Sequence, residues 1–158
     1  MNVYDRLKEL NLSLPTPPAR GGAYSPAVET RDHQVYISGC GPKIDREITG
    51  RVGREVDLET GRDCARDCML NVLAVLERHI GDLNRVSRAV KVLCFVSSDD
   101  SFFRQPEVAN GATGLLADLF GEEKGLPARS AIGVNALPGN IPVEVEAIFE
   151  IAPEEQAQ

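Results

Sequence analysis

Arg129 and Glu144 are the residues of this chain whose types best suit chemistry on a small polar molecule. A guanidinium offers a rigid fork of donors that can hold a carboxylate through two parallel bonds. A carboxylate in an enclosed place can have its pKa raised, orient a water molecule and exchange protons with a reacting centre. Both lie within Leu126 to Ile151, LPARSAIGVNALPGNIPVEVEAIFEI. Each also has a plainer explanation. On residue type alone, Arg129 is better read as half of an ion pair between subunits, because such pairs outnumber catalytic arginines. Glu144 shares a strand face with Glu146 and Glu150, and that face reads as solvated. For Glu146 and Glu150 the plain explanation is accepted.

The elements that must position these groups are legible from periodicity. From Val143 to Ile151, Val143, Val145, Ala147, Phe149 and Ile151 alternate with Glu144, Glu146, Ile148 and Glu150, the period-two signature of a strand with one face in a core. In the preceding run Ile132, Val134 and Ala136 share a face, while Arg129 and Ala131 point the other way. Upstream, a first strand near Tyr24 to Thr30 and a second from Gln34 to Ser38 read as a hairpin through Arg31-Asp32-His33. Asp57 is the expected N-cap of a helix to about Ile80, with a stripe of Ala65, Cys68, Met69, Val72, Leu73, Leu76 and Ile80 closed by Gly81.

Val86 to Ser97 is apolar on both sides, with Val90, Val92, Cys94 and Val96 on one and Leu93 and Phe95 on the other. Such a strand needs cover on both faces, and two helices cover only one, which points to a partner subunit. A second helix runs from about Pro106 to Phe120, with Pro106 suited to its first turn and Gly121 ending it. The order is β-β-α-β-α-β-β, an α+β layer fold with a mixed sheet and two helices on one face. Local reasoning alone pairs the last two strands as a hairpin across Pro138 to Pro142.

The chain of 158 residues has the length of one domain. The expected division is an N-terminal arm over residues 1–21, one domain over 22–151 and a flexible tail over 152–158. Within the arm, Val3, Leu7 and Leu10 lie on one side of a short helix, and Leu14-Pro15-Thr16-Pro17-Pro18 must be extended. A formal charge of -7 and a pI near 4.9 make nucleic acid a poor partner, although Arg46, Arg51 and Arg54 could form a local basic patch. No apolar run approaches the roughly 20 residues needed to cross a membrane, and Met1 to Arg6 has no secretory core. Cys40, Cys64, Cys68 and Cys94 sit within apparent helices and strands, as reduced thiols in a cytoplasm do. Cys64 and Cys68 are one helical turn apart, but the chain's two histidines, His33 and His79, leave a tetrahedral metal site without its remaining ligands. No metal is expected.

Several ordered motifs resemble one family. Tyr24-Ser25-Pro26-Ala27-Val28, Val35-Tyr36-Ile37-Ser38-Gly39, Pro127-Ala128-Arg129-Ser130, Leu137-Pro138 and Val143-Glu144-Val145-Glu146-Ala147-Ile148 look like the RidA/YjgF/UK114 family, also called endoribonuclease L-PSP. The resemblance runs from about Gly22 to Ile151. It implies a chorismate-mutase-like fold, a last strand inserted away from its neighbour in sequence, a homotrimer, and cofactor-free hydrolysis of reactive imines and enamines. Arg129 matches the arginine that binds the substrate carboxylate, and Glu144 the glutamate that positions water. Tyr24, Ser38 and Gly39 match positions lining the same cleft.

Asn110 resembles a family asparagine on the second helix. Its spacing to Arg129 is longer here, and its role is not carried over. Ala131 stands in the cleft where many active members have a cysteine. Two readings follow from the resemblance: a deaminase of small 2-imino or enamine acids, or a trimeric protein that binds a small carboxylate without turning it over. Ribonuclease activity, which the family's older label implies, ranks third on charge.

Overall fold

In the computed structural model, which describes residues 2–154, a five-stranded mixed sheet carries helices on one face. The elements are α1 (Val3–Glu9), β1 (Ala27–Glu29), β2 (Gln34–Cys40), α2 (Leu58–Ile80), β3 (Val86–Ser97), α3 (Gln105–Phe120), the single turn α4 (Glu122–Gly125), β4 (Ala128–Val134) and β5 (Val143–Ile151). The strand order is β1-β2-β5-β3-β4. β5 runs antiparallel to both β2 and β3, and β4 lies parallel to β3 at the edge. The last two strands therefore form no hairpin. The Pro138–Asn140 turn, with Gly139 at φ 67 and Asn140 at φ 57, carries the chain past β3 to the centre of the sheet.

The alternation of β5 survives intact: Val143, Val145, Ala147, Phe149 and Ile151 are buried beneath the helices, and the residues between them are not. On β3 one detail differs from the sequence expectation. The pairing with β5 slips between Ala89 and Lys91, so Ala89 takes the buried helix side and Val90 is only half-buried. A bulge of this kind shifts the alternation by one residue. Val92, Cys94 and Val96 then keep the helix side, and Lys91, Leu93 and Phe95 the open one.

α2 begins at its expected cap, where Asp57 accepts from the Thr60 amide at 2.8 Å. Its expected stripe is buried throughout, and so are Leu70, Asn71, Ala74 and Val75, because loops and α3 cover its flanks as well. Buried Asn71 donates to the carbonyls of Gly41 (2.9 Å) and Lys43 (3.1 Å), tying down the loop after β2. α1 packs on its own chain. Val3 and Leu7 join the common core, the Tyr4 hydroxyl accepts from the Leu83 amide at 3.0 Å, and Arg6 donates to the Asp118 carbonyl at 3.0 Å. At the other end Ala152 is held to Arg85; residues 155–158 of the expected tail lie outside the described residues.

Among the described residues none of the helices covers the open face of the sheet. Val28, Tyr36 and Ile132 are each more than two-fifths exposed there. Val28 and Tyr36 border a shallow hollow of about 310 Å³ that also takes in Lys91, Leu93 and Ile148.

α2 and α3 approach closely at Gly111, where a methyl group would sit 2.0 Å from the Arg62 carbonyl oxygen. Gly114, one turn on, has open space around it. Gly111→Ala should therefore lower stability by about 1–3 kcal/mol as the helices are forced apart. Gly114→Ala should raise it by up to about 1 kcal/mol through helix propensity. Urea denaturation of the two variants checks both signs.

Candidate active site

Arg129 enters from β4, opposite Val92 of β3. Val92 is a helix-side residue, so the guanidinium projects towards α3, where Nη1 donates to Asn110 Oδ1 at 2.7 Å and to Thr113 Oγ1 at 3.1 Å. These acceptors are three residues apart and share one helix face. Buried Thr113 also donates back to the Ala109 carbonyl at 3.4 Å. Among the described residues both bonds of Arg129 leave from Nη1. Sequence reasoning noted Asn110 without giving it a role and missed Thr113; the signal for Thr113 was its one-turn spacing from Asn110.

Ala131 follows two residues later, half-buried, in register with Cys94 of β3. The thiol of Cys94 is thus one strand away from the position expected to line the cleft. Cys94 is fully enclosed, however, and burial pushes its pKa up to about 12 against the opposing pull of Arg129. A thiol so held is packing rather than a nucleophile.

Glu144 sits on β5 opposite Phe95, on the open side of the sheet. Burial pushes its carboxyl above the ordinary glutamate range, and Glu146 on the same face adds to the effect. Its carboxylate rests against Gly39. A methyl group at Gly39 would lie 2.9 Å from Glu144 Cδ and 3.1 Å from Oε1. Ser38 and Gly39 belong to an irregularity in β2, where pairing with β5 jumps from Ile37 opposite Ala147 to Cys40 opposite Val145. Two residues there face the single Glu146, which bends the strand and brings its backbone to the Glu144 side chain.

The β2 bulge is also tied to the segment before β1. The Ser38 hydroxyl donates to the Ser25 carbonyl at 2.7 Å, and the Ser38 amide to the Pro26 carbonyl at 3.0 Å. Tyr24 lies just upstream, 45% exposed, with its hydroxyl accepting from the Gly21 amide at 3.1 Å. Tyr24, Ser38 and Gly39 line a common hollow of about 180 Å³. The candidate residues of one chain therefore fall into two groups. Tyr24, Ser38, Gly39 and Glu144 form one group; Arg129, Ala131, Asn110 and Thr113 form the other. Glu144 and Arg129 project from opposite faces of the sheet, so a single chain does not bring them together.

The sequence profile of the family described as endoribonuclease L-PSP matches residues 15–151. The chain belongs to that family. This is the RidA/YjgF group that its motifs resemble. The chain is 40% identical over 151 residues to protein TCP17 of Trypanosoma cruzi, covering 94% of each. It is 30% identical over 143 residues to a 2-iminobutanoate/2-iminopropanoate deaminase of Dermatophagoides farinae, covering 89% of this chain and 94% of that one. A crystal structure of an Agrobacterium tumefaciens protein of unknown function superposes with a TM-score of 0.87 at 37% identity, covering 95% of this chain and 92% of that one. The family and the mixed-sheet α+β fold follow from these matches.

The contact between Gly39 and Glu144 has a direct test. In Gly39→Ala the new methyl group displaces the flexible carboxylate outwards into water, at a stability cost below about 1.5 kcal/mol because a side-chain tip can move. The raised pKa of Glu144 should then fall back towards its ordinary value of 4.5. Carboxyl-carbon NMR titration of wild type and variant measures the shift.

Proposed function

We propose that this chain hydrolyses small 2-imino and enamine acids to the 2-oxo acid and ammonia, without a cofactor, at clefts between the subunits of a homotrimer. The observation that supports this most is the guanidinium of Arg129, steadied through one nitrogen by Asn110 and Thr113 while the rest of its fork stays available for a carboxylate. The mite relative's name, a deaminase of 2-imino acids, supports the same reaction class. The inter-subunit placement is supported by the two groups of candidate residues, which lie on opposite faces of one sheet and could meet only across two chains.

In this reading Arg129 of one chain binds the substrate carboxylate and fixes the imine carbon near Glu144 of the next. The ionised Glu144 accepts a proton from water as the water oxygen bonds to the protonated imine carbon and the C=N π pair moves to nitrogen. The product is a carbinolamine with a neutral amino group. Glu144 returns the proton to that nitrogen, the C–N bond breaks with its electron pair leaving on ammonia, and the hydroxyl oxygen closes to the ketone as its proton passes back to the carboxylate and on to the ammonia, which departs as ammonium and leaves Glu144 ionised. Tyr24 and the Ser38–Gly39 backbone shape the pocket, and Ala131 contributes only a small surface. Because the ionised carboxylate is the active form, the rate falls as the pH drops through the raised pKa of Glu144.

Ala131 keeps a second reading alive, a trimer that binds small carboxylates without turnover. Ammonia release from 2-imino acids generated in situ by an amino-acid oxidase decides between them. Wild type should accelerate imine loss and Arg129→Ala should not; no acceleration by wild type across several side-chain sizes would leave the binding protein. A second experiment tests the shared cleft. Arg129→Ala and Glu144→Gln should each be inactive alone. Co-refolded in equal amounts as random trimers, they should recover roughly a quarter of wild-type activity, because one interface in four pairs an intact arginine with an intact glutamate. No recovery would place both groups in the same chain's site.

A further inference from the structure

A hollow of about 350 Å³ lies apart from both groups of candidate site residues. It opens between the segment after α1, the loop after β2 and the outer side of α2. Four charged side chains line it: Asp45 and Arg46 from the loop, Arg66 and Asp67 from α2. Among the described residues they make one polar contact, Arg66 Nη2 to Asp67 Oδ1 at 3.6 Å. Arg66 Nε is buried with no acceptor. A buried donor left without a partner is unfavourable. Burial does raise the pKa of Asp67, against the pull of Arg66 and Arg46. Leu12, Ile44 and Leu70 supply an apolar floor beside these groups.

We propose that this hollow binds a small zwitterionic α-amino acid with an aliphatic side chain. Two guanidinium groups and two carboxylates sum to no net charge, so the site suits a ligand that is itself neutral but charged at both ends. The ligand's carboxylate meets Arg66 and Arg46. Its ammonium meets Asp67 and Asp45, and its side chain lies on Leu12, Ile44 and Leu70. A dicarboxylate or a diamine would leave one pair of wall charges opposed by its own sign.

Isothermal titration of the full-length protein with L-leucine tests this. Saturable binding at one site per chain is expected. 4-Methylpentanoate, which lacks the ammonium, and leucinamide, which lacks the carboxylate, should each bind at least about tenfold more weakly, as the loss of a charge-assisted hydrogen bond requires. Asp67→Asn, which keeps the shape of the side chain, and Arg66→Gln should weaken leucine by a similar factor. Arg129→Ala should leave it unchanged. No saturable heat at millimolar leucine would overturn the proposal. So would equal binding of leucine and its two analogues, or binding that is lost in Arg129→Ala and kept in Asp67→Asn. The last outcome would assign the ligand to the cleft near Arg129. The deaminase reading is untouched by any of these results, because none of them measures imine hydrolysis.

Discussion

A β-strand serves two faces by alternation, and this constraint governs the rest of the molecule. Along β5 every odd position from Val143 to Ile151 is committed to the core under the helices, which forces Glu144 to the open face. Along β4 the same rule puts Arg129 on the helix face, in register with Val92 and within reach of Asn110 and Thr113. A one-residue slip of either strand would bring the two charges to the same side, but it would turn a whole hydrophobic row out to solvent. Packing thus outranks proximity of the functional groups. The open face shows the other consequence of the constraint, since Val28, Tyr36 and Ile132 remain exposed on it. A second chain laid on that face would cover this apolar surface.

Periodicity made most of the fold legible. β3 and β5 have the limits read from sequence, and α2 starts after the cap that Asp57 announced. These elements carry long, regular patterns whose signal is local. What local signal lacks is partner choice. The Pro138–Asn140 turn looks like a hairpin connection, and only the competition between strands for the sheet centre decides otherwise; family resemblance supplied that answer. The bulge at Ala89–Val90 was equally hidden, because two small apolar residues in a row fit either face.

The candidate site was legible in its residue types and less so in its geometry. Asn110 resembled a family position but stood too far from Arg129 in sequence for its role to be carried over. The intervening residues include the single turn α4, Glu122–Gly125. Sequence distance counts that turn, whereas the hydrogen bond between Arg129 and Asn110 does not. Gly39 shows the converse. Its place in a motif was plain, but its physical role, leaving room for the Glu144 carboxylate, depends on a cross-strand approach created by the bulge.

Electrostatics narrows what chemistry the cleft can support. Its nearest thiols are Cys94, in register with Ala131, and Cys40, which follows Gly39. Burial pushes both up to about 12, and Glu144 reinforces the effect at Cys40. Near neutral pH neither holds the thiolate that attack on carbon requires. Glu144 is displaced in the same direction, but from a much lower starting point. A raised carboxylate moves towards the pH range in which it can both take and return a proton, whereas a raised thiol moves out of it. The same desolvation therefore silences the sulfur and prepares the carboxylate. An alanine at position 131 is compatible with hydrolysis on those terms, because the proton transfers need one tuned carboxylate, a water molecule and a cation to hold the substrate.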